Sequence, residues 1–379
     1  MNKLRRYGEA LASVELTLFC LGLMMALVFF GTVAQVHLGT YLAQKQFFYS
    51  AWVYLPLGDW KLPIFPGGLV VGALWFVNLV AAFIVRFRWE KKSIGILISH
   101  AGLIFLLLAQ FSSQTLARER QMPMDLGETR AYSEDFRDYE MALVTDHDPK
   151  RDEVTVIPYS IFTQHHVVAL SGTSLSLAIL KWYPNAQLGM SDGSIPSLAT
   201  QGIGTRIQVE ERAPVTTDEE NNQVTAYVEI KSAGKSLGIW LLSSGLGAPQ
   251  SFTADGREYR IFLRPRRYYH PFALTLKEFR HDVYPGTDIP KNFSSLVHID
   301  QADPAVSRDT LIYMNHPLRF NGLTFYQASF GKGDQQSIFQ VVQNPAWLGP
   351  YMSCALIILG MAFQFGFHLW GFLRKENGR

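Results

Sequence analysis

The chain has 379 residues, 48% of them hydrophobic and 13% aromatic, with two cysteines, which excludes a disordered chain and leaves room for several membrane helices plus one folded domain. Its formal charge of +2 conceals a split: residues 112–346 hold 22 Lys and Arg against 27 Asp and Glu, leaving 12 against 5 for the remainder. The positive charge therefore belongs to the apolar ends, and no nucleic-acid partner is expected.

After Lys3, Arg5 and Arg6, the run SVELTLFCLGLMMALVFFGTVAQV is too long in its apolar core for a cleaved secretion signal and predicts a first membrane helix over about residues 14–36. Residues 37–66 mix Tyr41, Trp52, Tyr54 and Trp60 with Pro56, Pro63 and Pro66, the composition of an irregular aromatic loop at a membrane–water boundary. A second helix is expected at 68–85, with Asn78 its one strongly polar member and a bond to another helix its expected use. The third, at 94–111, is IGILISHAGLIFLLLAQF, with His100 inside it. An imidazole at that depth is expensive to bury, and two uses fit it: ligating a metal, or bonding a neighbouring helix.

Arg86, Arg88, Lys91 and Lys92 crowd the link before the third helix, and Arg374, Lys375 and Arg379 follow a fourth at about 350–373. With four spans these clusters share one side with the basic N-terminus. The positive-inside rule then puts both termini in the cytoplasm and residues 112–346 outside. That segment reads as β-rich: alternating stretches recur at 154–157, 174–180, 224–230, 259–263 and 274–279, and Asp255-Gly256 and Asn321-Gly322 suit two-residue hairpin turns. Residues 184–222 read as a long loop.

The fourth helix carries His368, six residues from Arg374, as His100 lies eight from Lys92. At helical rise the two histidines fall at nearly equal depth, where they suit one axially bound haem or a shared hydrogen-bond partner; His368 equally suits an interfacial residue beside Trp370. Two membrane histidines are too few for a two-haem cytochrome b. His165-His166 lacks further ligands at metal spacing and reads as a solvated pair. The run REYRIFLRPRRYYHPF suits propionates, lipid headgroups or a peptide, or else a solvated strand face. Both cysteines lie in apolar runs and no C-x-x-C or C-x-x-C-H occurs, so the chain is neither a thiol carrier nor itself a c-type cytochrome. No hydrolase motif is present.

Four stretches, SVELTLFCLGLMMALVFFGTVAQ, SHAGLIFLLL, FRHDVYPGTDIPKNFSSLVHI and NHPLRFNGLTFYQASF, together resemble the ResB family of cytochrome c biogenesis proteins. The resemblance implies an α-helical membrane protein with four transmembrane helices and a large β-rich extracytoplasmic domain inserted between helices three and four. The parts are residues 1–111, 112–346 and 347–379, the last a helix with a short basic tail. It also implies a subunit that moves b-type haem across a bacterial inner membrane, where the lack of a transit-like leader also points. There it presents haem for covalent attachment to apocytochrome c, beside a ResC/CcsA-type partner.

On that resemblance His100 is a ligand of the haem iron, the opposing ligand is expected from the partner, and His368 joins only through its depth. The chain lacks the W-x-W-D type motif by which the partner holds haem at the outer face. It would be a non-catalytic or co-catalytic subunit of the haem lyase. The competing readings are a haem-independent assembly scaffold and a cytochrome b-like electron carrier.

Overall fold

The computed structural model describes every residue except 1, 59, 87–89, 149–150, 165–166, 192–196, 216–221, 288–289, 302, 304–306, 332 and 377–379. His165-His166, Arg88, Arg379 and residues 192–196 and 216–221 of the expected loop therefore lie outside the described residues. The helices are α1 (Asn2–Leu11), α2 (Val14–Phe47), α3 (Gly68–Val85), α4 (Ile94–Leu116), α5 (Tyr159–Gln164) and α6 (Gly349–Glu376). Two compact units emerge, one of Met1–Arg118 with Asn344–Arg379, the other of Glu119–Val215 with Glu220–Gln343.

In the first unit, α2, α3, α4 with the turn before it, and α6 are each long and apolar enough to cross a membrane. The basic N-terminal stretch is itself helical, and it is separated from α2 at Ser13, whose hydroxyl accepts from the Leu16 amide at 3.1 Å and caps the longer helix. Two parts of the expected loop at 37–66 are regular. Residues 40–47 continue α2 beyond a break at Gly39, where φ is 72° and ψ 168°, values open to glycine and costly for other residues. The chain doubles back there, so that Phe47 and Phe48 approach Gly31; a Cβ on Gly31 would stand 3.1 Å from the Phe48 ring. Strands β1 (Trp52–Leu57) and β2 (Trp60–Pro66) then form an antiparallel ribbon before α3. The prolines that rule out a helix are accommodated in a ribbon with no third strand.

The second unit is built from strands, as expected of an alternating pattern. They are β3 (Arg118–Asp125), β4 (Thr129–Asp148), β5 (Arg151–Pro158), β6 (Val167–Ala169), β7 (Leu175–Tyr183), β8 (Ala186–Met190), β9 (Ile207–Glu211), β10 (Thr225–Ser232) and β11 (Lys235–Ser243). After them come β12 (Gln250–Ala254), β13 (Arg257–Val283), β14 (Pro290–Gln301), β15 (Arg308–Tyr313), β16 (Leu318–Phe320), β17 (Leu323–Gly331) and β18 (Gln336–Gln343). β8 and β9 pair with each other, so part of the long loop expected at 184–222 is a ladder instead.

One large sheet runs β15-β14-β13-β4-β3-β18-β17-β16, with β12 on β13 and β5 on β4; a smaller one runs β11-β10-β7-β6. The 27-residue β13 serves two cores. Its first part, with β4 and β5, faces the small sheet across Met141, Leu143, Leu177, Val228, Ile230 and Ile261. Its last part, with β3, β14, β17 and β18, encloses Met122, Leu274, Val297, Ile299, Phe325 and Phe339. Between the two lies the arginine-rich run.

Candidate functional site

Helices α4 and α6 pack antiparallel along small residues. A Cβ on Gly95 would stand 2.6 Å from both the Gly360 carbonyl oxygen and the Gln364 Cβ, and one on Gly102 would stand 2.9 Å from the Ile357 side chain. Such close backbone approach is how membrane helices gain packing when no hydrophobic effect drives them together. The pairing fixes the register: Gly95 meets Gln364 and Gly102 meets Ile357, so Leu359 is level with His100. His368 therefore lies nine residues, about 14 Å, farther toward the basic helix ends. The equal depth inferred from distances to the flanking charges is not found, because α6 extends past the start of α4.

The two histidines also differ in chemistry. His100 is half-buried, and its Nδ1 lies 2.9 Å from the Ile96 carbonyl oxygen one turn earlier. Since a carbonyl only accepts, Nδ1 carries a proton, and in the neutral ring the lone pair then sits on Nε2. Nε2 has no hydrogen-bond partner among the described residues. A neutral imidazole anchored through one nitrogen and open at the other is the form that binds a metal. His368 is exposed, and its Nε2 stands 2.8 Å from Gln364 Nε2, an amide donor that occupies the lone pair. The donor set thus fits haem iron at His100 and disfavours it at His368 in this conformation. The Gln364 Oε1 is buried without a partner among the described residues, a feature the sequence does not announce.

In the other unit the arginine-rich run is neither free nor simply solvated. Arg264 and Arg267 lie directly across from Glu140 and Glu134 on β4 and bond them at 3.0 and 2.9 Å, and Arg266 bonds Asp138 at 3.0 Å. Register shifts at Pro265/Arg266 and Tyr269/Leu274 bracket this stretch, and such bulges re-aim side chains. Arg120 lies 3.6 Å over the Tyr268 ring. Arg120, Arg267, Tyr268, His270, Asn321 and Gln343 are among the residues lining an open cleft of about 450 Å³. His270 contacts Ser133 Oγ at 3.1 Å, and burial, reinforced by the Arg120 charge, lowers its pKa. With most of the arginine charge matched by acids on β4, this face is a poor trap for propionates. Among the described residues no group of three or more His, Cys, Asp or Glu is placed to hold a metal ion.

The last two of the four resembling stretches meet in one aromatic cluster. The His281 ring stacks on Phe293 and lies tilted against Phe330, with centroids 4.6 Å apart in each case, and its Nδ1 lies 3.1 Å from Asp334. This is a packing knot at the end of the sheet, and it shows why those stretches belong together.

A family model described as ResB-like matches residues 90–350, a span that takes in His100 and ends before His368. Protein NrfI of Wolinella succinogenes is 32% identical over 112 residues, 29% of this chain and 12% of that protein. The cytochrome c biogenesis protein CcsB of a Picosynechococcus species is 38% identical over 66 residues, 17% of this chain and 14% of that protein. The matched stretches thus span less than a sixth of either relative.

Proposed function

From the chain's membership of the ResB-like family, to which it belongs by a match over residues 90–350, we propose that it is a membrane subunit in cytochrome c biogenesis that helps carry haem across the bilayer. His100 holds the haem iron through Nε2, and a ResC/CcsA-type partner subunit supplies the opposing ligand and the outer haem-binding surface. The observation that carries this reading is the Nδ1 bond of His100 to Ile96 on a spanning helix, with no partner for Nε2 among the described residues. Haem is cargo here, b-type until thioether bonds join it to apocytochrome c. His368, farther along and tied to Gln364, is not assigned to that iron.

The charge split supports an orientation. The clusters about Arg86, Lys91, Lys92 and Arg374 fall on the cytoplasmic side of a bacterial inner membrane with both termini, and the strand-rich unit lies in the periplasm. There it serves as a platform for the partner or the apocytochrome. Attachment needs reduced thiols and an oriented haem vinyl group, so positioning alone is a sufficient contribution from this chain.

The test is the visible spectrum of the protein purified with its co-expressed partner, wild type against His100→Ala. A Soret band that falls or shifts in the variant, with maturation restored by added imidazole, is expected. An unchanged band would move the ligand elsewhere, and full maturation in His100→Ala without imidazole would make His100 a structural residue bonded only to Ile96.

A further inference from the structure

The β1–β2 ribbon carries an apolar face that no described residue of its own unit covers. Leu55 lies across from Leu62 and Leu57 across from Trp60, and directly paired residues share a side while neighbours alternate. These four form one face, and all are exposed, Trp60 by 81%. Lys61, paired with Pro56, belongs to the opposite face. That face also carries Tyr54 and Pro63, so Lys61 is its one charged residue, on a hairpin too small to have a core of its own.

Its position says what meets that face. Val53 is 3% exposed and packs with Cys20, Leu27 and Val71, with Phe47, Phe48 and Phe65 against them, so the ribbon's base is fixed to α2 and α3. The Gly67 amide donates to Ala51 at 2.8 Å, closing the ribbon at the first turn of α3. With 18 residues, α3 is about 27 Å long, slightly less than a hydrocarbon core of about 30 Å. Its first residue therefore lies at or inside the membrane boundary, and the ribbon bonded to it lies at that boundary too. Tryptophan and tyrosine collect at this level, and a lysine can reach from it to water. Pro56, Pro63 and Pro66 also remove three N–H donors from a ribbon with two open edges, and such unpaired donors are what lipid tolerates least.

We propose that the β1–β2 ribbon is a lipid-embedded wedge: Leu55, Leu57, Trp60 and Leu62 lie in the acyl–headgroup boundary of the leaflet remote from Arg86, Lys91 and Lys92, and Lys61 faces water. The wedge anchors the α2–α3 end of the protein in the bilayer independently of any haem.

Single nitroxide labels at positions 57, 60, 61 and 62, in the full chain with Cys20→Ser and Cys354→Ser, would be measured in phosphatidylethanolamine–phosphatidylglycerol vesicles. Labels at 57, 60 and 62 should collide with oxygen and be shielded from a water-soluble nickel chelate, and the label at 61 should do the reverse. Equal nickel access at all four positions would put the ribbon in water. Immobile labels shielded from both agents would mean a protein partner covers it, and either result overturns the proposal. Should the labelled variants fail to insert, the fluorescence difference between wild type and Trp60→Phe isolates Trp60. Its quenching by lipids brominated near the headgroup is expected, and no quenching by any brominated lipid would overturn the wedge.

Discussion

Asn78 and Thr17, 61 residues apart, share a 2.7 Å hydrogen bond in which the Thr17 hydroxyl donates to the Asn78 amide oxygen. The same amide group donates from Nδ2 to the carbonyls of Leu11 at 2.7 Å and Ser13 at 3.0 Å. One buried side chain therefore satisfies the backbone exposed where α1 gives way to α2. Asn78→Leu leaves both carbonyls and the Thr17 hydroxyl without it, at about 1–3 kcal/mol. Thr17→Val removes only the hydroxyl, whose single proton is shared between Asn78 and, at 3.3 Å, the Ser13 carbonyl, a loss worth about 0.6 kcal/mol in a membrane bundle. Reversible unfolding in mixed detergent micelles should rank the two variants in that order; equal effects would mean the backbone contacts contribute nothing.

The contact of α4 with α6 depends on absent side chains. A Cβ at Gly360 would approach the Gly95 carbonyl and the Ser99 amide to 2.6 Å, whereas one at Gly366 or Gly371 meets nothing within 4 Å. Gly360→Val should force the helices apart at an overpacking cost of about 1–3 kcal/mol and, on the role proposed for His100, should lower cytochrome c maturation. Gly366→Ala and Gly371→Ala should be silent in thermal stability and in maturation. A silent Gly360→Val would show that the helix pair tolerates separation.

Arg264 and Glu140 form the most secluded ion pair described, with side chains 9% and 3% exposed. The contact uses Arg264 Nε, and its Nη2 is buried with no partner. Removing one member strands the other's charge, so Glu140→Leu should cost about 3–5 kcal/mol, whereas replacing both with apolar residues of similar volume should cost much less. Chemical denaturation of wild type, Glu140→Leu, Arg264→Met and the double variant Glu140→Leu/Arg264→Met would expose that non-additivity. A double variant as unstable as the sum of the single changes would mean the pair is not a closed unit.

The parts of the fold that were legible in the sequence are those where one local signal had no competitor. The run at 68–85 is apolar apart from Asn78, and its bounds match α3. At Asp255-Gly256 and Asn321-Gly322 both central residues adopt positive φ, 52° and 72°, 48° and 75°, as a tight hairpin turn requires. What escaped depended on partners distant in sequence. The stretches at 259–263 and 274–279 look like two strands because arginines separate them, and only their acidic partners on β4 make one strand continuous. The break at Gly39 is one glycine among 30, recognisable once Phe48 is seen against Gly31. For the histidines, residue type was legible and the free nitrogen was not. That depends on whether the ring meets an acceptor, as His100 meets the Ile96 carbonyl, or a donor, as His368 meets the Gln364 amide.

His270 gives the strand-rich unit a predictable response to acid. Its ring stacks on Phe272 with centroids 5.4 Å apart, it contacts Ser133, and burial, followed by the Arg120 charge, holds its pKa below the usual histidine value. An unfolded chain takes up this proton near pH 6.5, and the folded chain resists it. Below that pH the unfolded state binds more protons, so the contribution is complete above about pH 6.5 and declines as pH falls toward the lowered folded value. The loss is partial because the half-buried ring is still screened by solvent. Hydrogen exchange of peptides covering 129–139 and 264–276, corrected for intrinsic rates, should show less protection at pH 5.5 than at pH 7.5 in wild type. His270→Gln keeps a polar group beside Ser133 without titrating, and should flatten the difference. An equal acid response in that variant would assign it to groups other than His270.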